Sequence, residues 1–88
     1  MGYDLKANEY LELIKIYKKT SKETIIKNIR LLIKQHNIKC KNQYLAKICN
    51  IPVNTVNMWF KETNKPTLEN LCKITIALNE PIVEILKI

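Results

Sequence analysis

Asn54, Asn57, Met58 and Lys61 recur at steps of three and four, so on a helix they share one face. Carboxamides so placed can pair with the edge of a base, a thioether can touch a methyl group, and an ammonium can meet a phosphate. That is the chemistry of recognition. Groups for bond making are scarce: with one His, one Ser, one Asp and a single Gly in 88 residues, no nucleophile, base and oxyanion donors can be assembled. Glu23, Glu62, Glu69, Glu80 and Glu84 are scattered over helix ends and loops, as caps and solubilising charges. No enzyme is expected.

His36 and Cys40 stand four residues apart, but two ligands do not make a metal site, and neither metal nor cofactor is expected. Cys40, Cys49 and Cys72 are odd in number, lack C-x-x-C spacing and follow no secretory signal. They read as free thiols of a reducing cytoplasm, Cys49 and Cys72 serving as small core residues. No run of about 18 apolar residues offers a membrane span, and Met1-Gly2 lacks the Ser or Thr at position 6 of a myristoylation motif. The expectation is a soluble cytoplasmic protein that engages no membrane.

The formal net charge is +7 and it is concentrated. Residues 21–50 hold six Lys and Arg30 against Glu23 alone, whereas four Lys balance four Glu beyond residue 50. A localised positive field favours a polyanion such as nucleic acid or an anionic membrane. Lys39, Lys41, Lys47, Lys61 and Lys65 are the cations placed to attract phosphate; Lys lacks the planar fork with which Arg reads guanine.

The face at Asn54 to Lys61 must be held by Lys41 to Phe60, which reads as two short helices broken at Cys49-Asn50-Ile51-Pro52. Leu45, Ala46, Ile48 and Cys49 turn inward from the first, and Val53, Val56, Trp59 and Phe60 carry the apolar surface of the second. Ala46 allows a close crossing, and Asn50 tolerates the left-handed backbone of a tight turn. Around this pair the chain predicts helices at every other segment. Asp4 to Lys18 places Ala7, Tyr10, Leu11, Ile14 and Tyr17 on one face, widened by Leu13 and Ile16. Thr20-Ser21-Lys22-Glu23 has the form of a capping box, opening a helix with Ile25, Ile29, Leu32 and Ile33 inward, Ile26 and His36 flanking, and Asn37 as left-handed cap. After the loop Lys61 to Pro66, Thr67 caps a helix burying Leu68, Leu71, Cys72, Thr75, Ile76 and Leu78, closed by Asn79. Pro81 opens a last one with Ile82, Val83, Ile85 and Leu86 inward.

The segments L-A-K-I-C-N-I-P-V-N-T-V-N-M-W-F and K-P-T-L-E-N-L-C-K-I-T-I-A-L-N closely resemble the Cro-repressor-like helix-turn-helix family, also called the XRE type, over roughly residues 24 to 88. The resemblance implies an all-α protein: a five-helix lambda-repressor-like helix-turn-helix domain over residues 21–88, preceded by an additional amphipathic helix within residues 1–20. It implies a bacterial or phage regulator, usually a dimer on double-stranded DNA, with helix 53–60 in the major groove. Position by position, base reading falls to Val53, Asn54, Asn57 and Met58, and phosphate contact to Asn42, Lys61 and Lys65. Four places depart from the family pattern. Ile33 and Phe60 stand where an Arg and a Glu commonly pair, which an apolar contact can replace. Pro52 replaces a capping Ser and Glu62 a Gly, and the connection through Lys39-Cys40 is about two residues longer.

Two functions follow. The first is a sequence-specific transcriptional regulator, a repressor acting by steric occupation of its operator as a homodimer. The alternative is a protein-binding module on the same fold, such as a phage- or plasmid-encoded inhibitor or an antitoxin, with a protein partner in place of DNA. Its motive is the uncharged helix Val53 to Phe60, with Met58 outward, and the extra helix before Thr20.

Overall fold

The computed structural model describes residues 7–87. Among them the chain is all-helical: α1 Ala7–Lys19, α2 Lys22–Gln35, α3 Lys41–Cys49, α4 Val53–Phe60, α5 Leu68–Leu78 and α6 Val83–Leu86. This is the lambda-repressor-like architecture expected, with α1 as the additional helix. The first turn of the expected N-terminal helix, from Asp4, and the outer limits of the two expected units (residues 1–6 and 88) lie outside the described residues.

The helices stop where single residues take a left-handed backbone. Asn37, Asn50, Glu62 and Asn79 have φ between 55° and 58°, and after each of them the next amide reaches back five residues: Ile38 to Ile33 O, Ile51 to Ala46 O, Thr63 to Met58 O and Glu80 to Thr75 O, at 2.9–3.0 Å. The same ending thus closes α2, α3, α4 and α5 and satisfies carbonyls that would otherwise lack donors. The three Asn positions are as the sequence predicts. Glu62 occupies the fourth although it carries a Cβ, and Cys40 is likewise left-handed at φ 53° before α3.

α2 is the spine of the core. Ile25, Ile26, Ile29, Leu32 and Ile33 are buried from it and pack with Leu45, Ala46 and Cys49 of α3, Val56 and Trp59 of α4, Leu71, Ile74 and Leu78 of α5, and Ile85 and Leu86 of α6. Burying such side chains contributes about 1.5–3 kcal/mol each before chain entropy is subtracted. Asn28 is buried among them, a polar residue that apolar periodicity does not reveal. Its amide donates to Ile85 O at 2.7 Å and Lys87 O at 2.6 Å, pinning the short α6 to α2.

Several expected faces are rotated. On α1 only Leu13 is buried, with Ile14 and Tyr17 half-buried, while Tyr10, Leu11 and Ile16 are exposed: the helix docks through its C-terminal half, where Leu13, Tyr17 and Thr20 fall in line. Thr20 does not cap α2. Its hydroxyl donates to Ile16 O at 2.6 Å and finishes α1, so Ser21 becomes the cap, accepting the Thr24 amide at 3.1 Å. On α5 the inward stripe is Leu71, Ile74, Thr75 and Leu78, steps of three and four that turn Ile76 out to solvent. Val83 also faces outward, because Ile85 and Leu86 take the inward side of a helix only one turn long.

Candidate nucleic-acid interface

The helix-turn-helix is built by α3 and α4. Left-handed Asn50 reverses the chain after Cys49, Pro52 enters α4 at φ −62° without a side-chain cap, and Ala46 is buried. Val56 and Trp59 anchor α4 with 0% and 2% of their surface exposed. That anchoring fixes which residues look outward. Val53 and Met58 are about two-fifths exposed, Asn54 is exposed and Asn57 half-covered, so the four residues expected to read bases do lie together. Met58 Sδ accepts from Asn64 Nδ2 at 3.1 Å. Val53, expected among the inward positions as well, is outward.

Asn42, in the first turn of α3, donates from Nδ2 to Asn57 Oδ1 at 2.5 Å, joining the expected phosphate contact to an expected base contact across the two helices. Its own Oδ1 is buried without a partner.

The cations are distributed unevenly over this surface. Lys39, Lys47 and Lys61 are exposed. Lys41 is half-buried, its ammonium 4.7 Å from the centre of the Phe60 ring, and the Arg30 guanidinium lies at the same distance from that ring. Arg30 also donates from Nη2 to Phe60 O at 3.4 Å. Where an apolar Ile33–Phe60 contact is expected, Phe60 packs against the core cluster that contains Ile33 and in addition engages two cations through its ring face. Arg30 is the residue of this cluster that periodicity overlooks: its outward position on α2 was legible, its partner Phe60 on α4 was not. Lys65 turns away from the outer face of α4. It donates to Tyr17 O at 2.8 Å and stands 4.1 Å over the Tyr17 ring, while the Tyr17 hydroxyl donates to Pro66 O at 2.6 Å. Burial raises the Tyr17 hydroxyl above its ordinary range.

Burial disfavours the thiolate at Cys49 and Cys72. Burial pushes Cys49 up to about 11, opposed in part by the Lys73 charge, and its Sγ lies 3.7 Å from Asn70 O. Burial first, and Glu69 second, raise Cys72. His36 Nε2 lies 2.7 Å from Glu80 Oε2, tying the end of α2 to the turn after α5 rather than pairing with Cys40.

A helix seated by Trp59 on a second helix, with amides outward and lysines at its borders, defines a helix-turn-helix protein of the DNA-binding type. A family model described as helix-turn-helix, of the XRE and Cro/C1 type, matches residues 26–85, more than half of the chain, and the protein belongs to that family. Searches of curated proteins and of solved structures give no match. The chain is thus a DNA-binding helix-turn-helix regulator by family. No helix among the described residues is long and apolar enough to cross a membrane.

Proposed function

We propose that the protein is a sequence-specific transcriptional repressor of the cytoplasm that binds double-stranded DNA as a homodimer. In this reading α4 lies in the major groove and closes the operator to polymerase. The observation that carries it is the seating of α4: Val56 and Trp59 are buried while Val53, Asn54, Asn57 and Met58 remain together on the outer side. These four are the base readers. Asn42, Lys39, Lys41, Lys47 and Lys61 hold phosphates at the borders, with Lys65 contributing charge from its place on Tyr17.

Selection from a random duplex pool, read together with the mass of the protein in solution, tests the reading. A palindrome enriched by a dimer supports it. Four lysine–phosphate contacts in each half-site, eight across the dimer, predict affinity falling by roughly four orders of magnitude between 50 and 200 mM salt, and Lys41→Ala, which removes one contact from each half-site, should weaken all sequences alike and lower the salt slope by about two. Affinity independent of salt would overturn it.

One observation favours the protein-binding alternative: Tyr10 and Leu11 stand half or more exposed on the side of α1 turned from the core. Recovery of a single stoichiometric protein partner, lost in a Tyr10→Ser, Leu11→Ser variant and accompanied by no retention of random DNA, would establish that function instead.

A further inference from the structure

α1 has more apolar surface than the core takes up. Leu13, Tyr17 and Thr20 line its docked side. On another side Ala7, Leu11, Ile14 and Lys18 recur at steps of four, three and four, with Tyr10 beside them. Ile14 is half-buried and the other four are exposed, Leu11 with 59% and Tyr10 with 50% of its surface in solvent. Steps of four and three are the spacing with which one helix receives another.

The charges on α1 identify the helix that fits. Glu9 and Glu12 lie in its N-terminal half, and Lys15, Lys18 and Lys19 in its C-terminal half. A partner of one sign is attracted to one half and repelled by the other. A second α1 running antiparallel brings acid beside base at both ends and opposes the two helix dipoles, whereas a parallel copy sets like charges together. About the twofold axis Leu11 lies against Ile14 of the second copy, and the aliphatic stem of Lys18 covers its Ala7. Self-repulsion is also smallest here. Three Lys against two Glu leave α1 at +1, while six Lys and Arg30 against Glu23 put residues 21–50 at +6.

We propose that this outer stripe of α1 is the homodimer surface, each copy laying α1 antiparallel along α1 of the other. The inference rests on the DNA-binding homodimer proposed above and names its interface. It also ties pairing to the readers of bases: Tyr17 donates to Pro66 O and Lys65 sits on Tyr17, so α1 is fastened to the loop that follows α4. Pairing through α1 therefore sets where the second α4 stands. A pair of 13-residue helices is about 20 Å long. That falls short of the roughly 800 Å² per partner of a standard interface and makes the dimer a weak one, dissociating at about 10 μM without DNA.

Sedimentation equilibrium of the full-length protein in reductant, from about 1 to 300 μM, tests the proposal. The native chain should pass from monomer to dimer across that range. Leu11→Asp acts twice across a twofold axis and should raise the dissociation constant at least about a hundredfold. Ile76→Asp and Val83→Asp, at exposed apolar positions of α5 and α6, should leave it within about twofold. Circular dichroism confirms that each variant is folded. Orientation is read by oxidation on a Cys40→Ser background: Ala7→Cys mixed with Lys18→Cys should give the mixed disulfide, and neither variant alone its own. A monomer at every concentration, a dimer that survives Leu11→Asp, or a different protein held by a monomeric chain through Leu11 overturns the proposal, as do disulfides between identical variants in place of the mixed one. Salt-sensitive binding of an enriched duplex by that same protein then leaves the DNA reading standing. A dimer lost in Leu11→Asp whose native form binds no duplex upholds the interface and overturns the DNA reading instead.

Discussion

Replacing Glu62 by Gly should stabilise the protein although it removes every side-chain atom at that position. Glu62 ends α4 at φ 58°, its amide bonded to Trp59 O at 2.9 Å and the following amide to Met58 O at 2.9 Å, so the left-handed backbone is imposed by the turn. A residue with a Cβ gives up roughly 1–2 kcal/mol in that region. Gly removes the clash but brings about 0.4–1 kcal/mol of extra freedom to the unfolded chain. The net gain is about 0.5–1 kcal/mol, or roughly 3–6 °C in the melting temperature of a domain this size. Glu62 also borders a depression with Lys27, Arg30 and Lys34, so some attraction is lost with its charge. Glu62→Ala loses the same charge but keeps the Cβ, and the difference between the Gly and Ala variants isolates the backbone. Thermal and urea unfolding followed by circular dichroism give that difference directly. Equal melting temperatures for the two variants would refute the strain argument.

Asn28→Ala removes two buried hydrogen bonds and the tie between α2 and α6; a loss of about 2–3 kcal/mol in urea unfolding is expected, against under 0.5 for the exposed Lys27→Ala. Phe60→Leu should cost about 1–2 kcal/mol, and a double-mutant cycle with Arg30→Met should show a coupling of roughly 0.5–1 kcal/mol; additive single effects would remove the cation–ring contact as a contributor. Because the fold raises the Cys49 thiol from 9.0 to about 11, it favours the protonated form, and the associated stability is intact below pH 9 and lost as pH rises toward 11. The native protein in reductant should therefore lose more stability than Cys49→Ala between pH 8.5 and 10.5. Alkylation at pH 8 should modify exposed Cys40 first, half-buried Cys72 slowly and Cys49 only on unfolding.

Much of the fold was legible because helix ends and the helix-turn-helix are written in local chemistry. Asn37, Asn50 and Asn79 mark stops by their tolerance of a left-handed backbone, and Val56 and Trp59 mark the inward side of α4 by spacing alone. What spacing cannot supply is the neighbour. Tyr10 and Leu11 satisfy the periodicity of an inward stripe, yet the core is met only further along α1, and Ile76 loses its expected place to Ile74 because three-and-four steps from Leu71 admit one and not the other. The site was legible to the same extent. The outward residues of α4 follow from the periodicity of one helix, while the Asn42–Asn57 bond and the Arg30–Phe60–Lys41 cluster join separate helices and appear only once those helices are packed.

The Lys65 ammonium has one position and, on the proposed function, two claimants. Held on Tyr17, it fastens α1 to the loop that follows α4. A backbone phosphate that draws it away must unfasten α1 by the same free energy, and by thermodynamic reciprocity anything that clamps α1 down must weaken that phosphate contact. On the proposed function, with Lys65 drawn to a phosphate, the N-terminal helix would act as a lever on affinity for DNA, set at a distance from every base.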